Sequence, residues 1–420
     1  MLSGRIEMLK KTAFASVLAL AFLVRAEPYL VHSSIMGVDA YYHMRIIEDF
    51  FIRDALYAGG RTTIYPPLFH LVMHIIPLSV QTLARTVPPL LSTSVICTFA
   101  YMLRQRADVA IVGTFMLALH PALIARTYFI PELLAIAVAP LLYAWFVDGR
   151  PLRTAVMVVF LSLTHVFSAL IYLGTLVTVS GRDRRVRFVA IAALVTLGAF
   201  VALQGPRIQY ARPSFIVPLF MTIAVYLPFA VLGRPRGLKG RTLLIGTMAT
   251  VVLSLLLPRE VATSRIGAIG ALFVCGTASY GLVRAFERDR NAFYAALVLF
   301  LALGLSVGLA RTPVYTQPDI EAAGHLGGMS ASPVMTTAGH LVTYHGASVL
   351  IDEYAEFSPH HDKRSEALYG IVLHGSTDYR VPSEAGVRYL HVERSVSFSR
   401  ELGFSCLYDD GARIYLLTSR

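Results

Sequence analysis

Residues Gly37–Phe50 read GVDAYYHMRIIEDF, and the rest of the chain has to accommodate this polar stretch. It holds three acids (Asp39, Glu48, Asp49), two tyrosines (Tyr41, Tyr42), His43 and Arg45, and it follows the first apolar run, Thr12–Val24. Charge in hydrocarbon costs several kcal/mol, so a cluster like this between apolar segments belongs in water or in a wet cavity.

The composition around it is that of a membrane protein: 55% hydrophobic and only 15% charged over 420 residues, with a mean hydropathy of +0.61. Soluble domains keep about a quarter of their residues charged, so this profile predicts a polytopic membrane protein. The net charge of +11, from 37 basic and 26 acidic residues, orients such a chain through its loops and attracts anionic lipid. The arginines fall in short clusters between apolar segments rather than along one face, which argues against nucleic acid. Cys97 and Cys275 lie in apolar runs and Cys406 stands apart, so no disulfide framework is expected. Arg25, Glu27 and Pro28 follow the first run where a signal peptide would show small residues, which predicts an uncleaved first span.

Further apolar runs are Pro88–Leu103, Val109–Leu123, Leu133–Val147, Thr154–Val166, Phe167–Val179, Phe188–Leu203, Phe215–Leu232, Leu243–Leu257, Ile266–Val283 and Ala292–Leu309. With the first they make about eleven spans, several of them shorter than the ~20 residues a perpendicular helix needs. Between them lie Arg104/Arg106, Arg150/Arg153, Arg182/Arg184/Arg185/Arg187, Arg234/Arg236/Lys239/Arg241 and Arg284/Arg288/Arg290. A cytoplasmic N-terminus puts every one of these clusters inside, as the positive-inside rule requires. Tyr65–Leu83 would invert that order if it spanned. Its Pro66, Pro67, His70, His74, Pro77 and Gln81 fit an interfacial or re-entrant helix instead.

The outer face then collects the loop of residues 26–64, the ARTYFIPE loop (Ala125–Glu132), His165, Arg207, Arg212 and the PREVATSR loop (Pro258–Arg265). Everything after Leu309 is also there. From about Thr312 the composition becomes mixed, and Val334–Thr336, Ser348–Asp352, Leu368–Leu373, Arg388–Val392 and Cys406–Tyr408 read as short strands. Asp410-Gly411 signals a hairpin turn. The expected division is a membrane domain over 1–311 and a small extracytoplasmic α/β domain over 312–420.

Acids and arginines on one face suit a phosphorylated, metal-requiring substrate. Asp39, the candidate catalytic acid, comes with Glu132 and Glu260 from three outer loops, and the three are candidate catalytic residues, as acid partners or as ligands of one Mg²⁺ or Mn²⁺, which take oxygen donors. His43, one helical turn after Asp39, is a further candidate ligand. Arg126, Arg259 and Arg265 are candidate phosphate partners, with snorkelling at the interface as the alternative role. His360-His361-Asp362 lacks the H-E-x-x-H spacing of a zinc helix and is assigned nothing.

Gly37-x-Asp39-x-Tyr41-Tyr42-His43-x-Arg45, followed by Glu48, resembles the first external loop of oligosaccharyltransferase catalytic subunits, the archaeal ones in particular. Tyr65-Pro66-Pro67-Leu68 resembles the YPP element of GT-C glycosyltransferases. The resemblance implies a GT-C type all-α transmembrane bundle with a C-terminal α/β domain. The implied reaction moves a glycan or sugar from a polyprenyl or dolichyl (di)phosphate carrier to an extracytoplasmic acceptor, protein or glycan, at the cell membrane. It further implies that Asp39 binds the metal and contacts the acceptor, with Glu132 and Glu260 at the family's other acidic positions and Arg126-Thr127 at its Arg-Ser/Thr. Where the family carries WWDYG, this chain has Met335-Thr336-Thr337-Ala338-Gly339, so the Asn-x-Ser/Thr acceptor does not carry over. A monosaccharide-phosphate-dependent transferase with another acceptor, or a non-catalytic paralogue that binds lipid-linked glycan, is the alternative. A transporter would place ionisable residues near the midplane.

Overall fold

A computed structural model of the chain describes residues 2–50, 53–54, 61–62, 65–181, 184–204, 225–233, 235–256, 265–329, 333–351, 367–368, 370–372, 380, 382, 387–392, 405–410 and 412–417. In chain order the helices are α1 (Leu2–Val31), α2 (Val38–Asp49), α3 (Leu68–His74), α4 (Val80–Leu103), α5 (Ala107–Ala118), α6 (Pro121–Ala125), α7 (Pro131–Val147), α8 (Pro151–Ser162), α9 (Val166–Val179) and α10 (Arg184–Gln204). They continue with α11 (residues 225–232), α12 (Gly237–Leu256), α13 (Gly267–Arg288), α14 (Arg290–Leu309), α15 (Gln317–Met329) and α16 (Gly339–Tyr344). The strands are β1 (Arg53–Asp54), β2 (Arg61–Thr62), β3 (Val334–Thr336), β4 (Val349–Ile351), β5 (Tyr389–Val392), β6 (Ser405–Asp410) and β7 (Ala412–Leu416). Two compact units result. One comprises Met1–Val31, Tyr65–Phe69 and Arg85–Arg311; the other comprises His32–Ile64, His70–Ala84 and Thr312–Arg420.

The first unit is helical, and four helices among the described residues are long and apolar enough to cross a membrane: Lys10–Val31, Val80–Leu103, Gly267–Arg288 and Arg290–Leu309. Helices α5, α7, α8 and α9 are apolar but have 12, 17, 12 and 14 residues. At 1.5 Å per residue they fall short of the ~30 Å hydrocarbon core. Prolines at the first helical position, Pro121, Pro131 and Pro151, fix where α6, α7 and α8 begin, because a residue there needs no N–H.

Helix α3 has seven residues, about 10 Å of helix and too short to cross a bilayer. Helix α4 starts at Val80, eight residues ahead of the Pro88 that opens the apolar run. Val80, Leu83 and Ala84 are buried at helical spacing, and the Ser79 hydroxyl accepts from Thr82 N–H at 3.2 Å, an N-cap bond.

Helix α13 packs on α12, α5, α14 and α6, and small residues make that possible. A Cβ on Gly281 would stand 1.9 Å from the Phe229 carbonyl oxygen, and one on Gly233 2.3 Å from that of Thr277. The α11 and α13 backbones therefore touch, as small residues allow between membrane helices. Gly246 seats the Phe273 ring and Gly270 the Thr250 methyl (2.2 Å each for an added Cβ), so side chains of α12 and α13 pack directly on the facing backbone.

The second unit holds a mixed five-stranded sheet of order β4-β3-β5-β7-β6. Strand β3 runs parallel to β4 and β5, and β7 pairs antiparallel with β5 and β6. The core is Met335, Leu368, Ile371, Val372, Val387, Leu390, Val392, Tyr415 and Leu417. At the start of α15, Asp319 Oδ2 accepts from Thr316 N–H at 2.6 Å and from Thr316 Oγ1–H at 2.7 Å, the half of a capping box in which the third-position acid reaches back to the cap. Strand β3 covers the residues its sequence indicates. The stretch Leu368–Leu373, expected as a strand, is instead helical at 367–368 and 370–372. Leu368, Ile371 and Val372 fall at helical spacing and bury together, and a run this short reads equally well as strand or helix. β6 and β7 pair as adjacent antiparallel strands, and Gly411 of the expected turn lies outside the described residues.

Candidate active site

Each unit gathers a group of the residues that the sequence singles out. In the first unit the loop Arg126–Ile130 joins α6 to α7, and a buried polar network holds its shape. The Thr127 carbonyl accepts from Tyr29 O–H at 2.7 Å and from the Arg311 guanidinium, while its hydroxyl lies 3.0 Å from Ser92 Oγ and from the Leu123 carbonyl. Arg25, wholly buried in α1, donates to Ser92 Oγ at 2.6 Å and to the carbonyls of Ala21 at 3.0 Å and Ala118 at 2.7 Å. The Ala118 carbonyl belongs to the last turn of α5, where helix geometry leaves acceptors without partners.

That loop sets Arg126 against Glu132, which sits in the first turn of α7. Arg126 Nη2 lies 2.5 Å from Glu132 Oε2, with side chains 9% and 2% exposed. Arg126 Nη1 meets the Tyr128 hydroxyl, and the guanidinium lies 4.8 Å from the centre of the Tyr128 ring. Arg265, half-buried just ahead of α13, and His165, buried at the N-cap of α9, stand within electrostatic range of Glu132. The structure thus brings Arg126 and Glu132 into contact and leaves Arg265 within electrostatic range of them, along with His165, which the sequence places on the same face without a role. Arg259 and Glu260 lie outside the described residues, as do Arg207, Arg212 and His360-His361-Asp362.

In the second unit Asp39 stands in the first turn of α2, where a carboxylate is favoured by the helix dipole. Gly37 precedes it at φ 87°, a left-handed conformation that glycine takes without strain. Asp39 Oδ1 lies 4.0 Å from His340 Nε2, and the Asp39 side chain is 24% exposed. His340, near the start of α16, stacks on Tyr42 at 5.0 Å between ring centres. Tyr41 meets Tyr315 and Tyr344 edge-on at 5.6 and 5.7 Å. His43 does not share Asp39's contact: its Nδ1 lies 3.0 Å from His70 Nε2. His340 and His70 carry no sequence signal of their own, being 301 and 27 positions from the residues they meet.

Asp39 belongs to the second unit and Glu132 to the first. Among the described residues no group of three or more His, Cys, Asp or Glu side chains is assembled to hold a metal. Glu132 does not suit a divalent cation: one oxygen is taken by Arg126, and Arg265 adds further positive charge. Asp39 does suit one, since its part-exposed carboxylate can serve as a single protein ligand to a cation otherwise held by phosphate and water. The Arg126–Glu132–Arg265 group carries two positive charges against one negative, which suits an anion. The Asp39–His340 group suits a hydroxyl-bearing acceptor or a cation.

No protein-family model matches the sequence, and neither does any curated protein. Solved structures do match. The oligosaccharyltransferase of Archaeoglobus fulgidus, solved in complex with zinc and sulfate, aligns with a TM-score of 0.58 at 12% identity, covering 91% of this chain and 68% of that one. The arabinofuranosyltransferase AftD from Mycobacteria aligns with a TM-score of 0.59 at 14% identity, covering 98% of this chain and 40% of that one. This chain therefore spans about two fifths of the mycobacterial protein. Identities this low speak for the fold, and the fold is that of an oligosaccharyltransferase-like GT-C protein.

Proposed function

We propose that this chain is a GT-C glycosyltransferase of the membrane that moves a sugar or glycan from a polyprenyl or dolichyl (di)phosphate carrier to an extracytoplasmic acceptor. The observation that carries the reading is Asp39, part-exposed in the first turn of α2 behind a left-handed glycine, in a chain that shares the fold of two membrane glycosyltransferases. Asp39 contacts the acceptor and, where a divalent cation takes part, holds it; a bound Mg²⁺ or Mn²⁺ neutralises phosphate charge. Arg126 and Arg265 bind the carrier's phosphate, as guanidinium groups do well, and Glu132 holds Arg126 in place. The spans number about eleven in this reading, the N-terminus is cytoplasmic, and residues 312–420 form an α/β domain outside.

The second reading, a monosaccharide-phosphate donor with an acceptor other than an Asn-x-Ser/Thr sequon, has its own support. Met335, Thr336, Thr337 and Ala338, at the place of the family's acceptor motif, are buried, and Met335 is a core residue of the sheet.

Purified protein supplied with extracted lipid-linked sugars and an acceptor extract is expected to transfer label, and Asp39→Ala to lose the transfer. An Asp39→Ala protein turning over at the wild-type rate overturns the assignment. Comparing monophosphate with diphosphate donors separates the two readings.

A further inference from the structure

His165 is 7% exposed and occupies the N-cap of α9. Its Nδ1 accepts the backbone N–H of Ser168 at 3.2 Å, and the Ser168 hydroxyl lies 2.8 Å away. A ring nitrogen that accepts an N–H carries no proton, so the imidazole is neutral and its hydrogen is on Nε2. The cap thereby fixes the tautomer, and the remaining donor belongs to a residue at the start of α9, a helix that packs on α7, whose first turn holds Glu132; Glu132, Arg126 and Arg265 are within electrostatic range. The same cluster keeps buried hydrogen-bonding capacity in reserve: Arg126 Nε and Glu132 Oε1 are buried with no hydrogen-bond partner among the described residues. Such groups are costly unless something completes them. A tetrahedral anion with several acceptor oxygens would take the Arg126 and His165 N–H donors together, and Glu132 Oε1 would accept from a hydroxyl.

We propose that His165 is a phosphate-binding residue, its Nε2–H donated to the phosphate of the lipid-linked donor alongside Arg126 and Arg265. This rests on the lipid-phosphate reading above. Asparagine and aspartate are strong N-caps, so His165→Asn keeps the Ser168 N–H satisfied while removing the ring donor, and His165→Asp does the same while adding a repelling charge.

The probe is dolichyl phosphate in detergent micelles, titrated against the full-length protein, with thermal unfolding recorded for each variant. His165→Asn is expected to unfold at the wild-type temperature and bind about tenfold more weakly, the loss of one hydrogen bond to a charged group. His165→Asp is expected to bind more weakly still, and inorganic phosphate to bind the wild type far less than the lipid does. Undiminished binding by both capped variants, with the wild type binding, overturns this inference alone. A wild type that does not bind dolichyl phosphate overturns it together with the lipid-phosphate reading, and equal binding of inorganic phosphate overturns the lipid assignment.

Discussion

The Arg126–Glu132 pair lends itself to a double-mutant cycle. Both side chains are at least nine-tenths buried and their charged atoms lie 2.5 Å apart. At an effective dielectric of about 20, two unit charges ~4 Å apart attract by roughly 4 kcal/mol, which offsets part of the cost of taking both out of water. Removing one partner leaves the other charge buried and uncompensated, at about 3–5 kcal/mol. Arg126→Met and Glu132→Leu are each expected to destabilise by that amount, with Arg126→Met somewhat worse for also losing the Tyr128 hydroxyl. The double variant replaces the pair with apolar groups of similar volume and is expected to fall within about 2 kcal/mol of wild type, since such exchanges are often neutral or better. The assay is SDS-induced unfolding in mixed micelles across all four proteins, with dolichyl phosphate binding in parallel, which only the wild type should retain. Additive losses, with the double variant some 6–10 kcal/mol below wild type, would refute the reasoning and return Glu132 to a role independent of Arg126.

Arg25→Leu removes the guanidinium that donates to Ser92 Oγ and to the Ala118 carbonyl and is expected to cost about 3 kcal/mol, read in the same unfolding assay. It should also weaken phosphate binding, because Ser92 connects Arg25 to Thr127; a variant as stable as wild type would remove Arg25 from the network. Burial lowers the His391 pKa to about 4, while in the unfolded chain it titrates near 6.5. The stabilising contribution is therefore complete above pH 6.5 and is lost as pH falls toward 4, by up to about 3 kcal/mol. Hydrogen exchange of the β5 amides between pH 7 and 5 should show that slope in the wild type and not in His391→Gln. Gly281→Ala is expected to push α11 off α13, since the added carbon would meet the Phe229 carbonyl, and a variant with unchanged unfolding behaviour would contradict that close approach.

Much of the architecture could be read from the chain itself. Apolar runs and the scarcity of charge mark a membrane protein, because the bilayer constrains every span locally and by length. Val334–Thr336 carries its strand in its own composition. Burial and partnership were decided elsewhere. Arg25 meets Ser92 67 positions away and Ala118 93 away, and only packing of α1 on α5 turns a charge in an apolar run into a helix-end donor. Glu132 read as a metal ligand by type, and the fold gave one of its oxygens to Arg126. Met335–Ala338 became buried structure once the sheet closed around them, and His165 gained a fixed tautomer from the start of α9. Local pattern constrains what a segment can be. Which donor meets which acceptor depends on distances between segments far apart in the chain, and those exist only after the helices and the sheet have packed.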